Sequence, residues 1–267
     1  RPCPLEHVRR SLSTARVHAT PVTLPRRPIV IIPTRLAATR LPNKPLAEIA
    51  GEPMIVQVWR RAMAAGVGPV VVAAADAAIV SAVAAAGGRA LLTDPALPTG
   101  SDRVFAALKI LDPGGRHDAV INLQGDLPAV DPALLGAVLR PLDDAEVAIG
   151  TVAAPSDDLT EASDPNVVKA VVALAPGATV GRALYFSRNT VPSGTGPILH
   201  HIGIYAYRPA ALARFVRLPP SALERRERLE QLRALEAGMH IAVACVNSAP
   251  LGVDTMADLE RARKLLG

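Results

Sequence analysis

The sequence predicts an α/β domain, a mostly parallel sheet wound with helices, and three observations carry that prediction. Short apolar runs rich in β-branched residues, at 29–32, 69–75 and Ala119–Leu123, have the length of strands buried on both faces. Between them lie segments with apolar residues at helical spacing, and such alternation implies crossover connections and a parallel sheet. Half of the 267 residues are hydrophobic but only 3% aromatic, so the core must be built from Ala, Val, Leu and Ile. A chain of this length suits one large domain, or one domain with a small lobe.

The elements follow in order. The run 29–32 is expected to stop at Pro33, which has no N–H to donate. Twelve residues without periodicity come next. A helix over 54–65 halts at Gly66. A strand over 69–75 and an alanine-rich helix over 77–86, closed by Gly87-Gly88, precede a short strand over 89–92. After a loop over 93–100, Ser101 opens a helix with Asp102 in its first turn. Asp131-Pro132 opens the helix after strand Ala119–Leu123, with proline at the first helical position. A strand over 240–246 leads to a last helix, Met256–Leu266. No repeat or low-complexity linker interrupts residues 28–267, which read as one domain.

Composition excludes several classes. The net charge of +5 suggests nucleic-acid binding, but of 29 basic and 24 acidic residues, six and one fall within residues 1–27. That leaves 23 of each in the body, which has no footprint for a polyanion partner such as nucleic acid. Residues 1–27 begin without Met and lack the apolar core of a secretory signal. They faintly resemble a transit peptide and are read instead as a disordered basic extension. No apolar stretch reaches the roughly 18 residues that cross a bilayer, so a soluble protein without membrane insertion is expected. Two cysteines, Cys3 and Cys245, form no disulfide framework, which points to a reducing, cytoplasmic setting. Gly66-Val67-Gly68 hints at a dinucleotide fingerprint, but it follows a helix and precedes a strand, the reverse of the required order.

Three stretches carry chemistry. The loop after the first strand holds Arg35, Arg40 and Lys44, three cations beyond the carboxyl end of a buried strand, where α/β folds bind phosphorylated ligands. A solvated surface loop is the plainer alternative. Asn122-Leu123-Gln124-Gly125-Asp126 ends another buried strand, so Asp126 emerges on the same sheet edge. A carboxylate facing a polyphosphate needs a divalent cation between them, and Mg²⁺ is the hard ion such sites use. A simple turn aspartate would look the same in sequence. Asp254, after the 240–246 strand, is either a second metal carboxylate or the N-cap of the last helix, and spacing favours the cap.

The runs IIPTRLAATRLPNKPLAEIAGEPMI, PTGSDR, NLQGD, DPNVVKAV, ALYFSR, HIGIYAYR, LEQLRALE and GVDT, in this order over residues 28–267, closely resemble the 3-deoxy-manno-octulosonate (Kdo) cytidylyltransferases. The resemblance implies a Rossmann-like, GT-A-like nucleotidyltransferase domain with a small inserted dimerisation region, a cytoplasmic homodimer, and Mg²⁺-dependent reaction of CTP with Kdo to give CMP-Kdo and pyrophosphate for lipopolysaccharide synthesis. By that resemblance Arg35, Lys44, Asp126 and Asp254 are catalytic, the two aspartates holding the metal. Pro33, Thr34, Arg35, Arg40, Lys44, Asp76 and Arg103 bind the nucleotide. Gln124, Arg188, His201, Tyr205, Glu230 and Gln231 line the sugar site, with Arg188 suited to the sugar carboxylate. Tyr205 and Tyr207 alternate with Ile204 and Ala206 along a strand, so one of the two tyrosines is expected in the core. Two departures stand out. Many relatives read QGDEP where this chain has Gly125-Asp126-Leu127-Pro128, and ATD where it has Ala74-Ala75-Asp76, which puts the base contacts in doubt. A related acidic sugar (a sialic acid or 8-amino-Kdo) and an inactive nucleotide-binding relative remain as alternatives.

Overall fold

A computed structural model describes residues 25, 27–37 and 41–267. The disorder expected before residue 28 and the position of Arg40 fall outside those residues, except that Arg27 is tied down. Its N–H donates to Asp118 Oδ1 at 2.9 Å, and its carbonyl accepts from the Asp118 N–H.

The first strand, β1 (Pro28–Thr34), is buried at every position. Its side chains alternate, Val30 and Ile32 entering one core layer and Ile29 and Ile31 the other. Pro33 does not end the strand. Val30 donates to Pro69 and Thr34 accepts from Ala75, so even-numbered residues bond towards the 70–74 strand, while Pro33 turns its missing donor the other way. That side is past the last register pair, Ile31 with Asn122, so no ladder bond is lost.

A two-stranded hairpin follows, β2 (Glu48–Ile49) and β3 (Glu52–Pro53). Ala50 and Gly51 at its tip have φ of 50° and 76°, the left-handed pair a two-residue hairpin turn needs. The chain continues as α1 (Met54–Ala64), β4 (Val70–Ala74), α2 (Ala77–Ala85), β5 (Ala90–Leu92), α3 (Gly100–Leu111), β6 (Ala119–Leu123) and α4 (Ala133–Ala137). These match the expected bounds to within about two residues, α4 starting one residue later than expected with Pro132 at the cap position, and α3 is capped by Thr99, not opened by Ser101. The Thr99 hydroxyl accepts from the Asp102 N–H. The second half comprises β7 (Ile149–Ser156), α5 (Leu159–Ser163), β8 (Lys169–Ala173), β9 (Val180–Ser187), β10 (Ile198–Tyr207), α6 (Pro209–Phe215), α7 (Ala222–Glu227), α8 (Gln231–Glu236), β11 (Ile241–Cys245) and α9 (Met256–Leu266).

One nine-stranded sheet runs through the molecule in the order β5-β4-β1-β6-β10-β7-β11-β9-β8. It is mixed rather than mostly parallel. The pairs β5–β4, β4–β1, β1–β6 and β7–β11 are parallel, and the other four neighbours are antiparallel. The reason is connection length. Helices carry the early crossovers, whereas residues 174–179 between β8 and β9 are too few for a parallel return.

Strand β1 has β4 on one side and β6 on the other, so the chain reverses its winding at β1. The crevice beyond the carboxyl ends of β1 and β6 is therefore the place where this topology binds a ligand. Helices α1, α2 and α4 cover one face, and α3, α6 and α8 the other. A third apolar cluster, Leu41, Ile49, Met54, Val253, Leu259 and Ala262, fastens the segment after β1 to α9. Each of its larger side chains contributes roughly 1.5–3 kcal/mol by burial.

Candidate active site

A cleft of about 450 Å³ opens at that crevice. Its lining includes Pro33, Thr34, Arg35, Lys44, Arg103, Gln124, Asp126 and Asp254, residues from four separate stretches of sequence. Thr34 and Arg35 arrive on the end of β1. The loop beyond is braced by Asp76, whose carboxylate accepts the Leu36 N–H at 2.9 Å. Asp76 itself is not among the lining residues, so the structure gives it the role of holding the loop. Gly125 sits where the loop after β6 crosses β1. A Cβ there would lie 3.2 Å from the Pro33 carbonyl and 3.3 Å from Ile55, so a side chain would push the two loops apart.

Arg103 is only 2% exposed. Its Nη1 donates to Thr93 Oγ1 at 2.5 Å and to the Asp94 carbonyl at 3.0 Å. Its Nη2 is buried with no partner among the described residues. Burial, and then the neighbouring Arg35 charge, lower its pKa, with Asp76 and Asp94 opposing. An arginine fixed through one nitrogen, with the other unbonded beside a cleft, is arranged to receive an anion.

Lys44 lies in a 3₁₀ turn that follows Asn43, whose left-handed backbone (φ 55°) is one asparagine tolerates. Its Nζ donates to Asp126 Oδ2 at 3.0 Å, Asp254 Oδ1 at 3.1 Å and the Val253 carbonyl at 2.8 Å. The Val253 N–H in turn donates to the Asp126 carbonyl at 2.9 Å, closing the two loops on each other. Asp254 is not the cap of α9. Thr255 and Asp258 form that capping box, which leaves the Asp254 carboxylate directed to Lys44. Asp126 and Asp254 thus converge on one cationic centre. Two hard oxygen ligands with phosphate oxygens to complete the shell fit Mg²⁺. No cluster of three or more His, Cys, Asp or Glu suited to a metal occurs among the described residues.

The expected sugar residues divide. Gln124 is in the cleft, its Nε2 donating to Asn122 Oδ1 at 3.2 Å. Glu230 stands next to the rim, accepting from Ser101 Oγ at 2.8 Å. Burial raises its carboxyl, and the Ser101 and Thr99 hydroxyls resist that rise. Gln231 is buried, with no partner for Nε2 among the described residues.

His201 is a core histidine. Its Nε2 pairs with Thr151 Oγ1 at 2.9 Å, its ring meets Phe186 edge-on at 4.8 Å, and burial pushes its pKa down to about 3. Phe186, His201, Tyr205, Tyr207 and Phe215 form one ladder of rings, in which Tyr207 is the core residue of the pair and Tyr205, partly buried, packs against the same layer. Burial raises both phenols. Arg188 lies outside the cleft lining and donates to the carbonyls of Glu227 (3.0 Å), Pro165 (2.8 Å) and Arg228 (3.4 Å).

Sequence reading missed Thr93 and Asp94, which aim Arg103, and the Val253 carbonyl. The backbone acceptors leave no trace in residue identity. Thr99 and Ser101 were legible within the PTGSDR run but were read only as a loop residue and a helix start.

A cationic loop and a carboxylate pair, meeting at the carboxyl edge of parallel strands, define a nucleotide-handling α/β enzyme. A cytidylyltransferase family profile matches residues 29–241. The chain is 67% identical to a 3-deoxy-manno-octulosonate cytidylyltransferase of Rhodospirillum centenum over 91% of this chain and 94% of that one. It is 62% identical to the protein of the same name from Rhodospirillum rubrum, over 90% and 96%. The solved structure of CMP:2-keto-3-deoxy-manno-octonic acid synthetase complexed with CTP superposes with a TM-score of 0.82 at 38% identity, covering 90% of this chain and 98% of that one. The chain belongs to the cytidylyltransferase family and, within it, to the 3-deoxy-manno-octulosonate cytidylyltransferases.

Proposed function

We propose that this enzyme transfers the cytidylyl group of CTP to the anomeric hydroxyl of Kdo, releasing pyrophosphate and supplying CMP-Kdo for lipopolysaccharide synthesis in the cytoplasm. The observation that carries the reading is the single cleft that gathers Arg35, Lys44 and Arg103 with Asp126 and Asp254. The relatives named above are Kdo cytidylyltransferases, and one solved relative was determined with CTP.

In this reading Arg35 and Lys44 hold the triphosphate, and the unbonded Nη2 of Arg103 donates to the same polyanion. The hydroxyl oxygen bonds to the α-phosphorus, the bond to the pyrophosphate oxygen breaks, and the hydroxyl proton is lost. The chain contributes positioning and fixed positive charge where negative charge accumulates. Asp126 and Asp254 would hold Mg²⁺, which when bound acidifies the hydroxyl and neutralises phosphate charge.

Gln124 contacts the sugar from the end of β6. Arg188 recognises its carboxylate by exchanging carbonyl partners, beginning with the Arg228 carbonyl at 3.4 Å, the longest of the three. The family also implies a homodimer built through an inserted region.

The test is pyrophosphate release from CTP and Mg²⁺ with Kdo, with a sialic acid, and with no sugar. Release with Kdo alone is the expected result. Release with the sialic acid instead would keep the mechanism and overturn the sugar. No release with any sugar would overturn the reading.

A further inference from the structure

The ammonium of Lys44 stands where the carboxylate pair would hold a metal. Its three donors are all committed, to Asp126, Asp254 and the Val253 carbonyl, at 2.8–3.1 Å. The Lys44 side chain is 15% exposed, against 33% for Asp126 and 54% for Asp254, so the ammonium is largely covered while the carboxylates stay open to solvent. A lysine engaged in this way cannot hold a triphosphate at the same time, and a divalent cation on Asp126 and Asp254 would meet a like charge already there.

The two cations therefore exclude each other at the carboxylates. Four rotatable stem bonds let the ammonium leave without moving the backbone. A nucleotide triphosphate gives it somewhere to go.

We propose that Lys44 is an internal counter-ion that occupies the cation position of the nucleotide-free enzyme and moves from the two carboxylates to the phosphates when metal and nucleotide enter together. The proposal deepens the proposed function and rests on its assignment of Asp126, Asp254 and Lys44. It makes metal and nucleotide binding reciprocal, each strengthening the other by the same factor. It also keeps the carboxylates neutralised between turnovers, so that a free divalent cation alone binds weakly.

The test uses Mn²⁺ as the probe, titrated against the enzyme without nucleotide and followed by the electron-paramagnetic signal of the free ion. Lys44→Met is expected to bind Mn²⁺ more tightly than the unaltered enzyme, by roughly tenfold or more, because a competing cation has gone. Lys44→Arg, which keeps the charge, should bind as weakly as the unaltered enzyme. Adding CTP should tighten Mn²⁺ binding to the unaltered enzyme and narrow the gap to Lys44→Met.

The proposal is overturned if Lys44→Met, folded by circular dichroism, binds Mn²⁺ no more tightly than the unaltered enzyme. It is also overturned if Lys44→Met retains that affinity after Asp254→Asn is added. Failure of the proposed reaction would look different: no pyrophosphate release with Kdo, while the Mn²⁺ pattern stands.

Discussion

The two halves of the sheet treat charge in opposite ways. Around β1, β4 and β6 the cleft gathers Arg35, Arg103 and Lys44, and the Nη2 of Arg103 has no partner among the described residues. Around β8, β9 and β10 three charged side chains are bonded to the protein itself. Lys169 is fully buried, and its ammonium donates to the carbonyls of Asp164, Val167 and Arg188. The Glu227 carboxylate accepts from Ser187 Oγ and the Arg188 N–H, and Arg188 donates to three carbonyls. The first half is arranged to attract a polyanion, since an unbonded buried donor is costly until a ligand arrives. The groups named in the second half are already bonded to the protein, so under the proposed function a sugar that recruits Arg188 must exchange protein hydrogen bonds for its own. Under the proposed function, the difference assigns affinity to the first half and selectivity to the second.

Asp254→Asn is the strongest way to break that contrast. It should lower Mg²⁺-dependent turnover by about 10²–10³-fold while the melting temperature holds, because α9 keeps its Thr255–Asp258 cap. Unchanged turnover would remove the carboxylate pair from the active half. Arg103→Met comes next. The loss of a charged donor should weaken CTP binding by about 10–100-fold, read by calorimetry, and equal affinity would mean that Nη2 faces no anion.

For the closed half, Arg188→Lys keeps the charge but loses the planar fork. It should raise KM for the sugar by roughly tenfold and leave KM for CTP unchanged. A parallel change in both would merge the two halves.

A last effect, on stability rather than turnover, concerns His201. Its folded pKa lies near 3 and its ordinary value is 6.5, so between those limits the unfolded chain takes up a proton that the folded protein refuses. Stability therefore falls on acidification from pH 6.5 towards 3, by at most about 1.4 kcal/mol per pH unit from this residue. His201→Gln should flatten that limb in urea titrations. An unchanged limb would mean that His201 is accessible to protons.

Legibility followed the same division. Strand Ala119–Leu123 and helix Met256–Leu266 have the bounds that periodicity predicts, because each buries one continuous apolar run or face. The cationic loop and both aspartates, which the structure brings to one cleft, were singled out from their place at strand ends. Strands β7–β9 went unread, and pairing direction was misjudged, since the alternation of side chains along a strand is the same whether its neighbour runs parallel or antiparallel. The two-residue strands of the β2–β3 hairpin carry no periodicity at all. Spacing alone favoured Asp254 as a cap because Thr255 and Asp258 offer an equivalent signal one residue later. The bonds that hold Arg188 were not legible because its partners are backbone carbonyls, which every residue possesses.

The link from Lys44 to the Val253 carbonyl spans 209 residues, and the apolar cluster beneath it joins Leu41 and Ile49 to Leu259 and Ala262. During vectorial synthesis, β1 and its cationic loop leave the ribosome long before the segment that completes them. A nascent chain that has reached β6 already carries Arg35, Lys44 and Asp126 but has nothing to set them against. Nucleotide binding should therefore appear late and abruptly in translation, once the segment through α9 has emerged, rather than growing in proportion to chain length.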